Sequence, residues 1–267
     1  MFPGAHADRD EAGYALVGAP LDASTTFQPG ARFGPRRVRH FAESFDDYDH
    51  HTDQHFTELA VYDHGDVHPT DDVAEYLTFL EGTVRDFVDE DAVPLVVGGE
   101  HTVTVASVRA VDPDVFVCLD AHLDLREEYA GNPLNHATVG RHALDVADEA
   151  VILGARTGSE AEWERAAQAD VTVVPPDEVA DWADAWESEG SVYLSVDVDA
   201  ADPGFAPGTG TMEPFGLAPR TMHEVVRTVA PAADGFDVVE VNDRDDGQTG
   251  ALAAKLLRAF VFAHGSG

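Results

Sequence analysis

The chain has 267 residues, 44% of them hydrophobic, and carries 51 Asp and Glu against 16 Lys and Arg, a formal net charge of −35. That length and apolar share suit one domain over residues 1–267 with an ample buried core, and the absence of a basic patch argues against nucleic-acid binding. No apolar run is long enough to span a bilayer, the N-terminal stretch lacks the marks of a secretory signal, and the single cysteine, Cys118, excludes an internal disulfide, so a cytoplasmic protein without a membrane partner is expected.

In chain order, apolar runs predict strands over 14–17, 59–62, 93–97, 115–119, 150–153, 171–174, 192–196 and 236–241. Amphipathic stretches over 73–88 and 252–262 predict helices. Strands alternating with helices predict an α/β fold with a mostly parallel sheet. Several strand runs are almost continuously apolar, as expected when both faces of the sheet are covered. In such sheets ligands bind beyond the carboxyl ends of the strands.

Three of those ends carry metal-type side chains. The strand at 93–97 runs into Gly98-Gly99-Glu100-His101, and the strand at 115–119 into Asp120-Ala121-His122-Leu123-Asp124. The strand at 192–196 runs into Asp197-Val198-Asp199. Residues i, i+2 and i+4 of a strand share one face, so a strand running past its sheet could aim Asp120, His122 and Asp124 at one point. A lone Asp-x-His-x-Asp is a weak signal. Three such ends together are a strong one, because gathering carboxylates without a cation costs several kcal/mol per buried charge. Carboxylate with some imidazole suits a hard divalent ion such as manganese. Two ions sharing bridging carboxylates can supply a water-derived nucleophile at neutral pH. Cys118 falls inside an apolar run and reads as buried and inert.

These motifs resemble the ureohydrolase family of agmatinases, arginases and their relatives. Gly98-Gly99-Glu100-His101, Asp120-Ala121-His122-Leu123-Asp124 and the stretch from Ser195 through Asp202-Pro203 to Thr211 are similar to its signatures. Gly18-Ala19-Pro20-Leu21-Asp22 and Pro29-Gly30-Ala31-Arg32-Phe33-Gly34-Pro35 look like agmatinases in particular. The resemblance implies a three-layer α/β/α fold with about eight strands and two manganese ions. It assigns His101, Asp120, Asp124 and Asp197 to one ion and Asp120, His122, Asp197 and Asp199 to the other, with Asp120 and Asp197 bridging. It also implies a catalytic proton carrier in Asp124, a proton shuttle in His136 and a guanidinium-holding carboxylate in Glu240. Family members are commonly homo-oligomers, and one is expected here.

The implied reaction is attack on the guanidinium carbon of a small guanidino substrate, releasing urea and an amine. Arginases usually hold the amino-acid end of arginine through an acid three residues after an arginine. Here Arg156 is followed by Thr157, Gly158 and Ser159, so no carboxylate is offered at that position. Agmatine, converted to putrescine and urea in polyamine biosynthesis, fits better. Arginine, guanidinobutyrate and formimidoylglutamate are alternatives, as is a metal-binding protein without catalysis. Three positions depart from the family pattern: Glu100 where an aspartate is usual, the Met212-Glu213-Pro214-Phe215-Gly216 segment, and Asp243.

The acids are spread along the chain, and its only lysine is Lys255. This is the composition of a halophile's solvated surface. Salt screens self-repulsion over a Debye length that falls to about 3 Å at 1 M. The thermal midpoint is therefore expected to rise between low salt and molar potassium chloride, and a melt that does not move would refute this.

Overall fold

The computed structural model describes residues 1–188 and 190–266. The chain begins with strand β1 (Tyr14–Ala19), helix α1 (Gly34–Ala42) and a short antiparallel ribbon of β2 (Tyr48–Asp49) and β3 (Gln54–His55). Next come β4 (Val61–Asp66), α2 (Val73–Asp89), β5 (Val93–Gly98), α3 (Thr104–Val111) and β6 (Val115–Leu119). They are followed by α4 (Val139–Ala143), β7 (Glu149–Leu153), α5 (Glu160–Ala166), β8 (Val171–Val174) and α6 (Val179–Ala185). The chain closes with β9 (Val192–Asp197), α7 (Pro219–Val229), β10 (Ala233–Val239) and α8 (Gln248–His264).

Eight of the strands form one sheet in the order β4-β1-β5-β10-β9-β6-β7-β8. Its pairings are all parallel among the described residues. The strand pleat sends alternate side chains into two cores. Leu16, Leu95, Val97, Val117 and Leu119 pack under α1, α7 and α8. Ala15, Val17 and Val96 face α2 and α3, and Phe116, Cys118 and Tyr193 face α3 and α4. This is the expected three-layer α/β/α arrangement. Helix α2 shows why its sequence is helical: Tyr76, Leu77, Leu80, Val84 and Phe87 make one buried stripe, and Asp72 caps the first turn by accepting from the Ala74 and Glu75 amides. No helix among the described residues is long and apolar enough to cross a membrane.

Several strand boundaries differ from the sequence reading, and two of the differences have clear local reasons. Residues 59–60 are not strand, because Leu59 closes a 3-10 turn and Ala60 takes φ 52°. Strand β10 ends at Val239 rather than 241, because Glu240 takes φ 64°.

The close approach at the end of β5 depends on Gly99. The Leu21 backbone crosses directly over it: Gly99 N–H donates to Ala19 O at 2.6 Å and Glu100 N–H to Leu21 O at 2.7 Å. A Cβ on Gly99 would overlap Leu21 O. Gly99→Ala must push that crossing apart, and overpacking of this kind costs about 1–3 kcal/mol or more. Urea unfolding should show a lower midpoint at an unchanged m value. A variant as stable as the parent would contradict the tightness of the crossing.

Candidate metal centre

The carboxyl ends of β5, β10, β9 and β6 lie side by side at the middle of the sheet. The chain passes from β5 to β6 across the two strands it lays down last. The direction of winding therefore switches there, and a crevice opens at such a switch. Every candidate from the sequence except His136 comes from one of these four ends.

His101 sits in a 3-10 turn just past β5 and is 1% exposed. Its Nδ1 lies 3.0 Å from Asp124 Oδ2, 3.2 Å from Asp120 Oδ2 and 3.6 Å from Asp197 Oδ2. His122 Nδ1 lies 3.0 Å from Asp199 Oδ2 and 3.5 Å from Asp120 Oδ1. Asp120 thus faces one imidazole with each oxygen. Asp197 reaches only His101, and its Oδ1 accepts the Asp199 N–H at 2.8 Å.

The local backbone is not the extended strand that the alternation suggested. Strand β6 stops at Leu119, and Asp120 Oδ1 accepts the His122 N–H at 2.7 Å. Asp124 takes φ 51°. The Asp197–Asp199 pair repeats the device. The 120/122 and 197/199 spacings are therefore each an aspartate bonded to the backbone two residues on, the turn that short acidic side chains favour.

The electrostatics are those of a site that wants positive charge. Burial together with the neighbouring charge of Asp120 holds the Asp124 carboxyl up to about 6. Burial and the charges of Asp199, Asp120 and Glu240 push Asp197 well above the usual carboxylate range. Burial would also raise Asp120, but contact with both imidazoles brings it down. Both imidazoles are driven up against the desolvation that would lower them, His122 by Asp199 and Asp120 in particular. Without a metal, protons have to supply the countercharge. The donor set of imidazole nitrogen and carboxylate oxygen fits two hard divalent cations in their place. Cys118 is buried, with its sulfur 3.8 Å from His101 Nε2 and 4.0 Å from Asp120 Oδ2, and burial pushes its thiol up.

Behind His101 lies a chain of groups the sequence reading missed. Nε2 is 3.2 Å from Ser195 Oγ, which donates to Asp237 Oδ1 at 2.6 Å. Asp237 Oδ2 accepts from Thr104 at 2.7 Å and from Tyr193 at 2.8 Å. This arrangement puts the proton on Nε2 and leaves the Nδ1 lone pair facing the carboxylates. The available signal was an aspartate inside the apolar run Phe236-Asp237-Val238.

Glu240 is 1% exposed; its Oε1 accepts the His101 N–H at 2.9 Å and lies 3.5 Å from His136 Nδ1. Burial would raise its pKa, but these two contacts hold it below the ordinary value. His136 begins a short turn in the loop before α4. Its Nε2 accepts the Thr26 N–H at 3.2 Å, which is the behaviour of a neutral ring. Burial depresses its basicity, yet Glu240, Asp124 and Glu100 outweigh burial and hold it up to about 9. These two indications conflict. The Thr26 contact is the firmer guide, because cations beside Asp124 would disfavour the charged ring.

Glu100 points away from this cluster. Its carboxylate accepts from Ser24 N at 2.8 Å, Ser24 Oγ at 2.6 Å and Thr25 Oγ1 at 3.1 Å. Ser24 in turn takes the His136 N–H at 3.0 Å and the Asn135 amide at 3.0 Å. The extra methylene of glutamate thus ties two loops together at the rim. Arg156 also proves structural: its guanidinium donates to Asp199 O at 2.8 Å and Glu213 O at 2.7 Å, clamping the 212–216 segment to the turn after β9.

A cleft of about 250 Å³ opens over the cluster, walled by His122, Asp124, Asp197, Asp199 and His136 and, at its mouth, by Arg126 and Glu162. A larger hollow of about 960 Å³ lies against α1. It holds none of the candidates, and its Arg39 is already paired with Asp63 and Asp66.

Comparison with known proteins is consistent with this geometry. The Arginase family model matches residues 12–263. The chain is 34% identical over 260 residues to an agmatinase of Pyrococcus horikoshii, covering 94% of this chain and 91% of that one. It is 34% identical over 262 residues to an N(1)-aminopropylagmatine ureohydrolase of Thermococcus kodakarensis, covering 93% and 89%. The crystal structure of agmatine ureohydrolase of Thermoplasma volcanium superposes with a TM-score of 0.94 at 32% identity, covering 99% and 94%.

Proposed function

The chain belongs to the arginase family, and on that premise we propose that it hydrolyses agmatine to putrescine and urea with two bound manganese ions. The observation that carries this reading is a buried imidazole, His101, and a half-buried one, His122, both faced by carboxylates, with Asp120 turned toward both. His101, Asp120, Asp124 and Asp197 would hold one ion, and Asp120, His122, Asp197 and Asp199 the other. When bound, the pair would supply a nucleophile active at neutral pH and countercharge for the buried acids.

The protein groups do the rest. Glu240 is held charged, with Oε1 occupied by His101 N–H, while Oε2 takes no hydrogen bond from the described residues. Gly210 keeps the space beside Oε2 free, since a Cβ there would stand 3.5 Å from it. An ionised carboxylate in that position suits a planar guanidinium. Asp124, which lines the cleft, would receive a proton and pass it to the departing nitrogen. His136, held between Glu240 and Thr26, is placed to relay protons to the cleft. The agmatine reading is supported by the lack of an acid at Ser159 and by relatives named as agmatinases. We read the enzyme as a cytoplasmic homo-oligomer of a salt-adapted cell. Urea release from agmatine with manganese present, compared with arginine, guanidinobutyrate and formimidoylglutamate (formamide release for the last), tests it directly.

Removal of Asp120 takes a ligand from both ions, whereas removal of His101 takes one from a single ion. Asp120→Ala should leave less metal bound and less residual activity than His101→Ala. Equal metal content and equal rates in the two variants would contradict the shared role of Asp120.

Glu240→Gln should keep both metals and lose turnover, because a neutral amide offers one acceptor and no charge. A charge-assisted hydrogen bond is worth about 1.5–3 kcal/mol, or roughly one to two decades in kcat/KM. Parent-like kinetics on agmatine would remove Glu240 from the substrate site.

A further inference from the structure

Glu100 is a buried acid, 0% exposed, that the metal cluster does not use. Its Oε1 accepts from Ser24 Oγ at 2.6 Å and Thr102 Oγ1 at 3.0 Å, and its Oε2 from Ser24 N at 2.8 Å and Thr25 Oγ1 at 3.1 Å. Burying a charge is costly, and neutral hydroxyls and amides are enough to join two loops. What an ionised carboxylate adds is that it accepts at every position and donates at none. That property sets a direction. The Ser24 hydroxyl gives its one proton to Glu100, so toward its next neighbour it accepts, taking the His136 N–H at 3.0 Å. Ser24 O takes the Asn135 amide at 3.0 Å. Two residues on, Thr26 meets the ring of the same histidine: its N–H donates to Nε2 at 3.2 Å, and its hydroxyl lies 2.9 Å from that nitrogen. Residues 24–26 thus hold both the backbone and the ring of His136, and Glu100 holds residues 24 and 25.

We propose that Glu100 is a positioning residue: acting through Ser24, it fixes the orientation of the His136 ring in the cleft. The inference rests on the guanidino-hydrolase reading and adds to it a residue that governs turnover without touching substrate or metal. Thr26 and His136 both line the cleft. With Nε2 occupied by Thr26, the ring proton sits on Nδ1, which is turned to Glu240 Oε1 at 3.5 Å. A proton carrier works only in a narrow range of geometry, and a misplacement of about 1 Å can cost as much as roughly a hundredfold in rate. The competing reading is that Glu100 merely fastens one loop to another, in which case its effect has no connection with the His136 ring.

The test is a double-mutant cycle read by single-turnover urea release from agmatine, which resolves slow variants of the manganese-loaded protein. Ser24→Ala removes the hydroxyl that links Glu100 to His136 and leaves both residues in place. Its maximal rate should fall about three- to tenfold, the contribution of one neutral hydrogen bond, with the half-saturating agmatine concentration and the metal content kept. In a His136→Ala background the same change should cost less than about twofold, because the ring it positions is gone. Should Ser24→Ala fold poorly, Glu100→Gln gives the second reading. An amide cannot accept on both sides, so in either orientation one Ser24 bond is lost or reversed, and the same coupling to His136 is expected. Equal losses in the two backgrounds overturn the proposal, since they mark a loop fastener. So does parent-like turnover in Ser24→Ala or in His136→Ala, and each of these results leaves guanidine hydrolysis standing. No urea from the parent with agmatine, arginine or guanidinobutyrate would overturn the hydrolase reading and this inference with it.

Discussion

The governing constraint is the confinement of like charge at the centre of the sheet. Glu100, Asp120, Asp124, Asp197, Asp199, Asp237 and Glu240 are all buried at or near four adjacent strand ends. Isolated carboxylates cannot be buried there at neutral pH without severe cost. Each is therefore given a distinct compensation. Hydroxyls of Ser24, Thr25 and Thr102 surround Glu100, and those of Thr104, Tyr193 and Ser195 surround Asp237. Glu240 is held by the His101 N–H and His136, and the four aspartates are left facing the imidazoles of His101 and His122 and one another. That asymmetry separates the acids: Glu100, Asp237 and Glu240 are satisfied by the protein, and the four aspartates call for further positive charge.

The backbone bears part of the burden. Asp124 and Glu240 both occupy the left-handed region without being glycine, a conformation costing about 1–2 kcal/mol for an ordinary residue. In each case surrounding bonds hold the turn in place. Asp124 O accepts the Arg141 N–H at 3.1 Å, and Glu240 N–H donates to Gly99 O at 2.8 Å. The result is that a side chain leaving a strand end turns back over the sheet rather than out into solvent. Strain of this kind gathers where geometry matters more than stability.

Much of this was legible in the sequence, and the parts that were not have identifiable reasons. Strands 115–119 and 171–174 match their predicted bounds because the first run stops at Asp120 and the second at Pro175-Pro176. The ligand-type residues were visible from their spacing, although the spacing reflects aspartate turns rather than an extended strand. Arg156, which the sequence offers only as the landmark for a missing acid, proves to be a clamp on six carbonyls that the fold brings together. That Glu162 lines the cleft was not legible, because a glutamate in a capping box reads as a surface acid in a chain full of them. Asp237 was not legible because it sits within a strand, whereas the ligand-type pattern marks strand ends.

The order of strands in the sheet also differs from their order along the chain, and this bears on how the protein is made. Strand β10 is the last to leave the ribosome, yet it belongs between β5 and β9. Until it arrives, both neighbours present bare pairing edges, the kind that invite association with other chains. The nascent chain cannot close its sheet early and extend it later, as a fold with sequential neighbours can. Completion of the sheet and arrival of Glu240 are therefore one event. The candidate metal ligands, all translated earlier, gain their final surroundings only when β10 is in place.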